Sequence, residues 1–207
     1  MTACCARAGA DFGDVKLQAR TLAAAPAART KEVLGARRSE INFAEKTWTV
    51  PAERMKAGKE HRVPLSARAV AILEEMLALQ PAGDERTFVF RGAKPGKPLS
   101  NMAFFMLLRR MRRDDPTAHG FRSTFRDWAA ERTNFPADVA EAALAHTIAD
   151  KVQAAYQRGD LFEKRQRLMT AWATFCTTPV QEPQSNVAPL RRAGTKPNDS
   201  MIQSDPF

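Results

Sequence analysis

Apolar residues recur at helical spacing through most of the chain between residues 21 and 176, and this pattern constrains the fold more than any other feature. Val70, Leu73 and Leu77 are three or four residues apart, as on one face of an α-helix. Ser66, directly upstream, is a residue type that caps helix N-termini, because its hydroxyl accepts a main-chain N–H bond. The pattern predicts a mainly helical domain.

Further helices are predicted from the second half of the chain. Their apolar stripes consist of Phe121, Phe125 and Trp128, and then of Leu161, Leu168, Trp172 and Phe175. Pro136 suits the first turn of a helix between the two stripes. Asp160 and Glu163 match a capping box and predict that the last helix begins there. Thr147 and Asp150 resemble the same box, so a separate helix is expected to begin at Thr147.

Short extended segments interrupt this helical pattern. Residues 46–50 and 60–64 have the composition of β-strands, and Met55–Gly58 between them suits a hairpin tip, because glycine tolerates unusual backbone angles. Residues 87–90 are a further candidate for a short strand. Together the patterns predict an α+β fold that is mainly α with a small antiparallel β-sheet.

Composition divides the chain into three parts. Residues 1–20 show no clear periodicity and are expected to be irregular, whereas residues 177–207 are rich in Pro, Ser, Asn and Gln and are expected to be disordered. Residues 21–176 form the one predicted folded domain. No apolar run reaches the ~18 residues of a membrane span. The three cysteines are odd in number and form no framework, so a reduced, cytoplasmic protein without membrane association is expected.

An excess of basic residues favours an anionic partner over the alternative, a basic protein without a nucleic-acid role. The chain has 32 Lys and Arg residues against 23 Asp and Glu residues, which gives a formal net charge of +9. Nucleic acid is the commonest polyanion that such proteins bind. One dense cluster consists of Arg109, Arg110, Arg112 and Arg113. This arginine cluster is either a contact to the DNA backbone or the solvated face of a helix.

Four residues favour phosphoryl transfer without a metal. His119 and Arg122 are three residues apart, so on a helix they share a face. His146 precedes Tyr156, which is the only tyrosine in the chain. Guanidinium groups pair with phosphate oxygens, and a tyrosine hydroxyl, with a pKa of ~10, needs a base or a positive field before it attacks. The histidines and cysteines show no zinc-type spacing, so no metal site is predicted.

Five segments together resemble the tyrosine recombinases, and most closely the integrases of prophage-type mobile islands. They are residues 28–37 with a first-arginine motif, residues 50–65 with a lysine hairpin, His119–Trp128, Leu144–His146 and Tyr156–Arg158. The resemblance spans about residues 28–176 with its motifs in the family's order. It implies the tyrosine recombinase catalytic-domain fold, site-specific DNA recombination and integration, and no cofactor.

The resemblance implies a set of residues around the scissile phosphate. Arg29 and Arg122 would clamp it, His146 would bond a nonbridging oxygen, and Glu32 would orient Arg29. The implied partners are double-stranded DNA at attachment sites and other recombinase protomers on that DNA. No small-molecule substrate is implied. A nucleoid-associated location in the cytoplasm of a bacterial host follows from the same resemblance.

The resemblance also implies the nucleophile and the groups that move protons. Tyr156 would attack the phosphodiester and form a 3′-phosphotyrosyl link, which keeps the bond energy for resealing. Lys56, at the predicted hairpin tip, would donate a proton to the departing 5′ oxygen, and His119 would assist the transfer of the Tyr156 proton. In this family the chemistry needs neither ATP nor a metal ion.

Two alternative functions stay open on the sequence. Integrases usually carry arm-binding and core-binding domains before the catalytic domain, and the 28 residues before Arg29 are too few for these. An N-terminally truncated integrase is therefore expected, and a catalytically silent, DNA-binding remnant is the first alternative. The second is a metal-free nuclease that uses His119, His146 and Lys56 and leaves Tyr156 without a role. A covalent protein–DNA adduct separates the integrase from both alternatives.

Overall fold

The computed structural model describes residues 27–79, 88–92, 94, 96–102, 105, 106, 109, 112, 120–146 and 159–178. Within this part, the helices and strands with defined bounds are α1 (Thr30–Leu34), β1 (Ile41–Asn42), β2 (Thr47–Val50), β3 (His61–Pro64), α2 (Ala67–Ala78), α3 (Gly120–Arg132), α4 (Ala137–Ala143) and α5 (Phe162–Thr177). The predicted mixture of helices with a small antiparallel sheet is confirmed. None of the helices in the described ranges combines the length and the apolar character needed to cross a bilayer.

The three strands form one antiparallel sheet in the order β1–β2–β3. In the β2–β3 pair, Trp48 lies opposite Val63 and Val50 lies opposite His61. The connection between these strands contains Gly58 at a φ of +62°, a backbone conformation that favours glycine because it has no Cβ. The predicted hairpin is therefore confirmed, with its turn at the expected place.

The sheet and α2 enclose the first of two hydrophobic cores, called here the sheet core. The Ser66 hydroxyl accepts a hydrogen bond from the Ala69 N–H at 3.3 Å, which confirms the predicted N-cap. Ile72 and Leu73 on the buried face of α2 belong to the same cluster as Trp48 of β2. Full burial of an aliphatic side chain of this size stabilises a protein by roughly 1.5–3 kcal/mol, so these contacts hold α2 on the sheet.

Helices α3, α4 and α5 enclose the second core, called here the aromatic core. Trp172 of α5 lies edge-on to Phe125 of α3 with ring centroids 5.4 Å apart, and its ring lies 5.0 Å from that of Trp128. Phe175, one turn further along α5, stacks on Trp172 at 5.5 Å. Of the first predicted apolar stripe, Phe125 and Trp128 thus face the second stripe across this core, whereas Phe121 is not part of it.

The two cores meet along two short main-chain segments. Ala27 is buried in the aromatic core, whereas the adjacent Ala28 is buried in the sheet core. In the same way, Leu144 belongs to the aromatic core, and Ala145 packs against the sheet core. We call the line through Ala27–Ala28 and Leu144–Ala145 the seam. Helix α1 begins directly after the first of these segments.

One predicted strand is wrong in detail. Of residues 87–90, those that the structure describes form a single bridge, between Phe88 and Arg37, and no ladder. The Val89 N–H donates to the carbonyl of Ala36, but the chain then bends away, and the next pairing joins Arg91 to Pro98 within one loop. A run of three apolar residues after Thr87 was therefore too short to specify a strand.

The predicted start of the last helix is also wrong in detail. Helix α5 begins at Phe162, and its N-cap position is held by Leu161 at a left-handed φ of +53°. Asp160 does accept the Phe162 N–H at 3.1 Å, but its other carboxylate oxygen binds Arg165 at 3.0 Å. The Asp160 carboxylate, which the predicted capping box assigned to the start of the helix, is thus shared with an ion pair. The other predicted box, from Thr147, lies outside the described residues.

Candidate active site

Glu32 holds Arg29 at the start of α1. Arg29 occupies the N-cap position with extended backbone angles. One carboxylate oxygen of Glu32, Oε2, accepts the main-chain N–H of Arg29 at 2.8 Å, and the other, Oε1, accepts its guanidinium Nη1 at 2.9 Å. Glu32 is only 4% exposed, so this pair is weakly screened by solvent. A single carboxylate thus fixes both the backbone and the side chain of Arg29.

Arg54 braces the same helix from the hairpin. Its guanidinium donates to the main-chain carbonyl of Glu32 and to the carboxylate of Glu40. Glu40 in turn accepts the indole N–H of Trp48 at 3.0 Å. These bonds connect the end of α1 to β2 and to the segment that leads into the hairpin turn, so the position of Arg29 depends on the folded sheet.

Arg122 projects from the first turns of α3 into the seam, where it is 5% exposed. Its Nη1 donates to the carbonyl of Ala27, and its Nη2 donates to the carbonyl of Leu144 at 2.6 Å. Burial and the positive charge of Arg29 lower the pKa of Arg122 to about 10, and Glu32 opposes this shift. The guanidinium is therefore charged at neutral pH. Because these carbonyl partners are uncharged, they leave its attraction for an anion intact.

The turn after α4 brings the two arginines together. While the Leu144 carbonyl accepts from Arg122, the next carbonyl along the chain, that of Ala145, accepts from Arg29 Nη2 at 3.4 Å. Ala145 has a φ of +51°, in the left-handed region where helices commonly end and where residues other than glycine are uncommon. Two guanidinium groups thus share one turn at the seam.

The imidazole of His146 lies beside Arg122. Its Nε2 is 3.3 Å from Arg122 Nη2, and its Nδ1 is 2.6 Å from Oε2 of Glu141. The His146 main-chain N–H donates to the Glu141 carbonyl at 3.0 Å, so Glu141 holds both the backbone and the ring. The His146 side chain is 41% exposed, which leaves it accessible to a ligand from solvent.

The arrangement of these groups suits an oxyanion. Arg29 and Arg122 present planar nitrogen donors, which suit the paired oxygens of a phosphate, and the ring of His146 lies beside them. Such donors also stabilise charge that develops on a phosphate during attack, because they are already in place before the reaction. Within the described ranges, no group of three His, Cys, Asp or Glu side chains is arranged to hold a metal ion.

A second histidine lies behind the arginines, on β3. The ring of His61 hydrogen bonds to the main chain of Ala143, at the end of α4. Burial and the charge of Arg165 lower the pKa of His61 to about 4; Arg29 acts in the same direction, and Glu32 and Ala143 oppose the shift. The ring is therefore neutral at pH 7 and connects the sheet to the turn that carries His146.

Comparison with known proteins places the chain in a family. Residues 15–160, more than half of the chain, match the model of the phage integrase family. The chain belongs to the phage integrase family. As the motifs predicted, this match and the relatives identify a tyrosine recombinase catalytic domain.

Relatives of this integrase domain include prophage and phage integrases. Prophage integrase IntA of Escherichia coli (strain K12) is 40% identical over 70% of this chain and 35% of its own length. Prophage integrase IntZ of the same strain is 34% identical over 78% of this chain and 40% of its own length. The integrase of Shigella phage Sf6 is 28% identical over 75% of this chain and 40% of its own length. The chain thus spans less than half the length of these relatives. No solved structure matches it significantly.

The integrase domain brings some of the predicted site residues together at the seam. These are Arg29, Glu32, Arg122 and His146. Lys56 lies in the exposed turn of the hairpin. His119 and Tyr156 lie outside the described residues. In the arginine cluster, Arg109 and Arg112 are exposed, and Arg110 and Arg113 lie outside the described residues.

Sequence reasoning missed three residues that contact this site. They are His61, Arg126 and Glu141. A signal existed for His61, which is two residues from the buried Val63 and so faces inward on the same strand. A signal also existed for Arg126, one helical turn after Arg122. No spacing rule indicated Glu141, because a turn separates it from His146.

Proposed function

We propose that this integrase domain breaks and rejoins DNA in site-specific recombination, through attack of Tyr156 on a phosphodiester. The observation that carries the proposal is the joining of Arg29 and Arg122 by consecutive carbonyls of one turn, with His146 alongside. A single phosphate would meet all three side chains there. Two of the relatives named above are prophage integrases and one is a phage integrase, which supports the same function.

Three side chains act on the nonbridging oxygens. As the tyrosine oxygen approaches phosphorus, negative charge collects on these oxygens. Arg29 and Arg122 donate hydrogen bonds to them, and His146 donates another from Nε2 when both of its ring nitrogens carry a proton. The loss of one such preorganised donor typically slows catalysis by about 10²–10³-fold. Because Glu32 fixes Arg29 from behind, the guanidinium needs little reorganisation before it binds the phosphate.

The covalent step exchanges one phosphate ester for another. The oxygen of Tyr156 forms a bond to phosphorus, and the bond from phosphorus to the 5′ oxygen of DNA breaks. His119 assists removal of the tyrosine proton, and Lys56 from the hairpin turn protonates the leaving 5′ oxygen. The product is a 3′-phosphotyrosyl link. Attack by a free 5′ hydroxyl reverses these steps and rejoins the strand, so no external energy source is needed.

Double-stranded DNA is the substrate in this proposal, with further recombinase protomers as partners on the DNA. The net charge of +9 favours contact with phosphates, and each contact releases counterions. DNA binding should therefore weaken steeply as salt rises. The exposed Arg109 and Arg112 are candidates for such backbone contacts.

The test is covalent trapping on a nicked duplex from which the cleaved strand end diffuses away. The natural chain should form an adduct that survives denaturation, and Tyr156→Phe should form none while it still binds DNA, because only a hydroxyl is lost. Arg122→Ala should suppress the adduct and weaken binding. DNA binding by the natural chain without an adduct would favour a non-catalytic DNA-binding protein. Cleavage that yields only free strand ends would favour a hydrolytic nuclease.

A further inference from the structure

The carboxylate of Glu141 on α4 bridges two side chains. Its Oε1 accepts from Arg126 Nε at 2.7 Å, and its Oε2 lies 2.6 Å from His146 Nδ1. Burial tends to raise the pKa of Glu141, but the hydrogen bonds from His146 and Arg126 outweigh burial and lower it below its ordinary value. The carboxylate is therefore ionised at neutral pH. An ionised carboxylate only accepts hydrogen bonds, so the proton in its bond to His146 belongs to Nδ1.

We propose that Glu141, braced by Arg126, is a positioning residue that holds the His146 ring with a proton on Nδ1 and with Nε2 directed to the phosphate site. Its catalytic consequence rests on the proposed function. With Nδ1 bound to Glu141, Nε2 is the ring nitrogen left for the anion, and it already lies 3.3 Å from Arg122. A ring released from Glu141 would rotate and present either nitrogen, or neither.

Helix α3 provides a side chain that acts on each nitrogen of the His146 ring. Arg122 and Arg126 are four residues apart on α3, so they share one face of the helix. Arg122 meets the ring at Nε2, while Arg126 acts at Nδ1 through Glu141. The main-chain bond from His146 to the Glu141 carbonyl adds a third restraint. The imidazole therefore has one orientation, as a donor to a nonbridging oxygen requires.

The first experiment reads the protonation of the two His146 ring nitrogens directly, without DNA. The full chain contains three histidines, so ¹⁵N NMR of the ring nitrogens with a His146→Asn reference assigns the signal. We expect the natural chain to show a proton on Nδ1 of His146 that exchanges slowly with water. Glu141→Ala should lose this signature, and Glu131→Ala, which removes an exposed carboxylate from α3, should keep it. An absent signature in the natural chain, or one that persists in Glu141→Ala, would overturn the inference.

The second experiment measures the rate of adduct formation in a single turnover on the nicked duplex. Glu141→Ala should lower this rate by about 10-fold to 100-fold, the scale expected when a catalytic group loses its alignment. DNA affinity should be nearly unchanged, in contrast to the effect of a misfolded domain. Glu141→Gln should recover part of the rate, because its amide oxygen still accepts from Nδ1–H. Glu131→Ala is again the matched control.

A double-mutant cycle separates positioning from an independent effect. If Glu141 acts through His146, then Glu141→Ala should cause no further loss in a His146→Ala background. Fully additive losses, or a natural rate in Glu141→Ala, would refute the inference. Lack of an adduct from the natural chain would instead refute the proposed function alone, because the NMR signature tests the pair between Glu141 and His146 without any DNA chemistry.

Discussion

The partly buried His61 should make the stability of this domain fall as the solution becomes acidic. Its pKa is lowered from 6.5 to about 4 by burial and by the charge of Arg165. Between these two values the unfolded chain binds a proton that the folded chain does not bind, so acid favours unfolding. The stabilisation is complete above about pH 6.5 and is lost as pH falls toward 4. The shift corresponds to at most about 3 kcal/mol, of which about 2 kcal/mol is lost by about pH 5.

Urea unfolding at a series of pH values tests this magnitude. The change is His61→Gln, which removes the titrating group but keeps an N–H donor for the main chain of Ala143. Other groups, chiefly carboxylates, titrate in both proteins and cancel in the comparison. The unfolding free energy of the natural chain should therefore fall between neutral pH and pH 5 by about 2 kcal/mol more than that of the variant. Equal pH dependence in the two proteins would refute the argument that His61 is held neutral by its surroundings.

Two further substitutions test the site and the aromatic core. Glu32→Gln should lose one of the two bonds to Arg29 together with the charge, which destabilises the domain by about 1–3 kcal/mol in urea unfolding and slows adduct formation; natural stability with a natural rate would contradict the assigned role of Glu32. Trp172→Ala should cost about 3–5 kcal/mol because the ring is almost fully buried. Thr170→Ala, exposed on the same helix, should change stability by less than about 0.5 kcal/mol, and a comparable loss there would argue against the packing explanation.

The elements that could be predicted from sequence are those with local signals. Ser66 caps α2 through a residue three positions away, and Gly58 supplies the turn conformation that β2 and β3 require. The apolar stripe around Trp172 identified α5 because helical spacing repeats over its whole length. The predicted start of α5 was one residue too early, because the Asp160 carboxylate is shared with Arg165, and that ion pair depends on tertiary packing.

The site itself was only partly accessible to sequence reasoning. The family motifs indicated Arg29, Arg122 and His146, but the bonds that hold them are long-range. Arg122 bonds to main-chain carbonyls 95 and 22 residues away, and carbonyls carry no sequence signal. Glutamate is common on solvated helix surfaces, so the residue type of Glu141 carried no signal. Only the turn at Ala145 brings the Glu141 carboxylate to the imidazole of His146.

The seam makes chemical competence depend on the completeness of folding. Ala27 and Ala28 are buried in different cores. Of the two residues whose carbonyls join the arginines, Leu144 is buried in the aromatic core, and the partly buried Ala145 packs against the sheet core. If either core loosened, we expect that the guanidiniums would separate, even though the other core kept its helices or strands. On the proposed function, a nascent, heat-stressed or partly digested chain would lose strand cleavage before it loses its secondary structure. Such a chain would still bind chromosomal DNA through its positive charge, but it would not cleave the DNA strand.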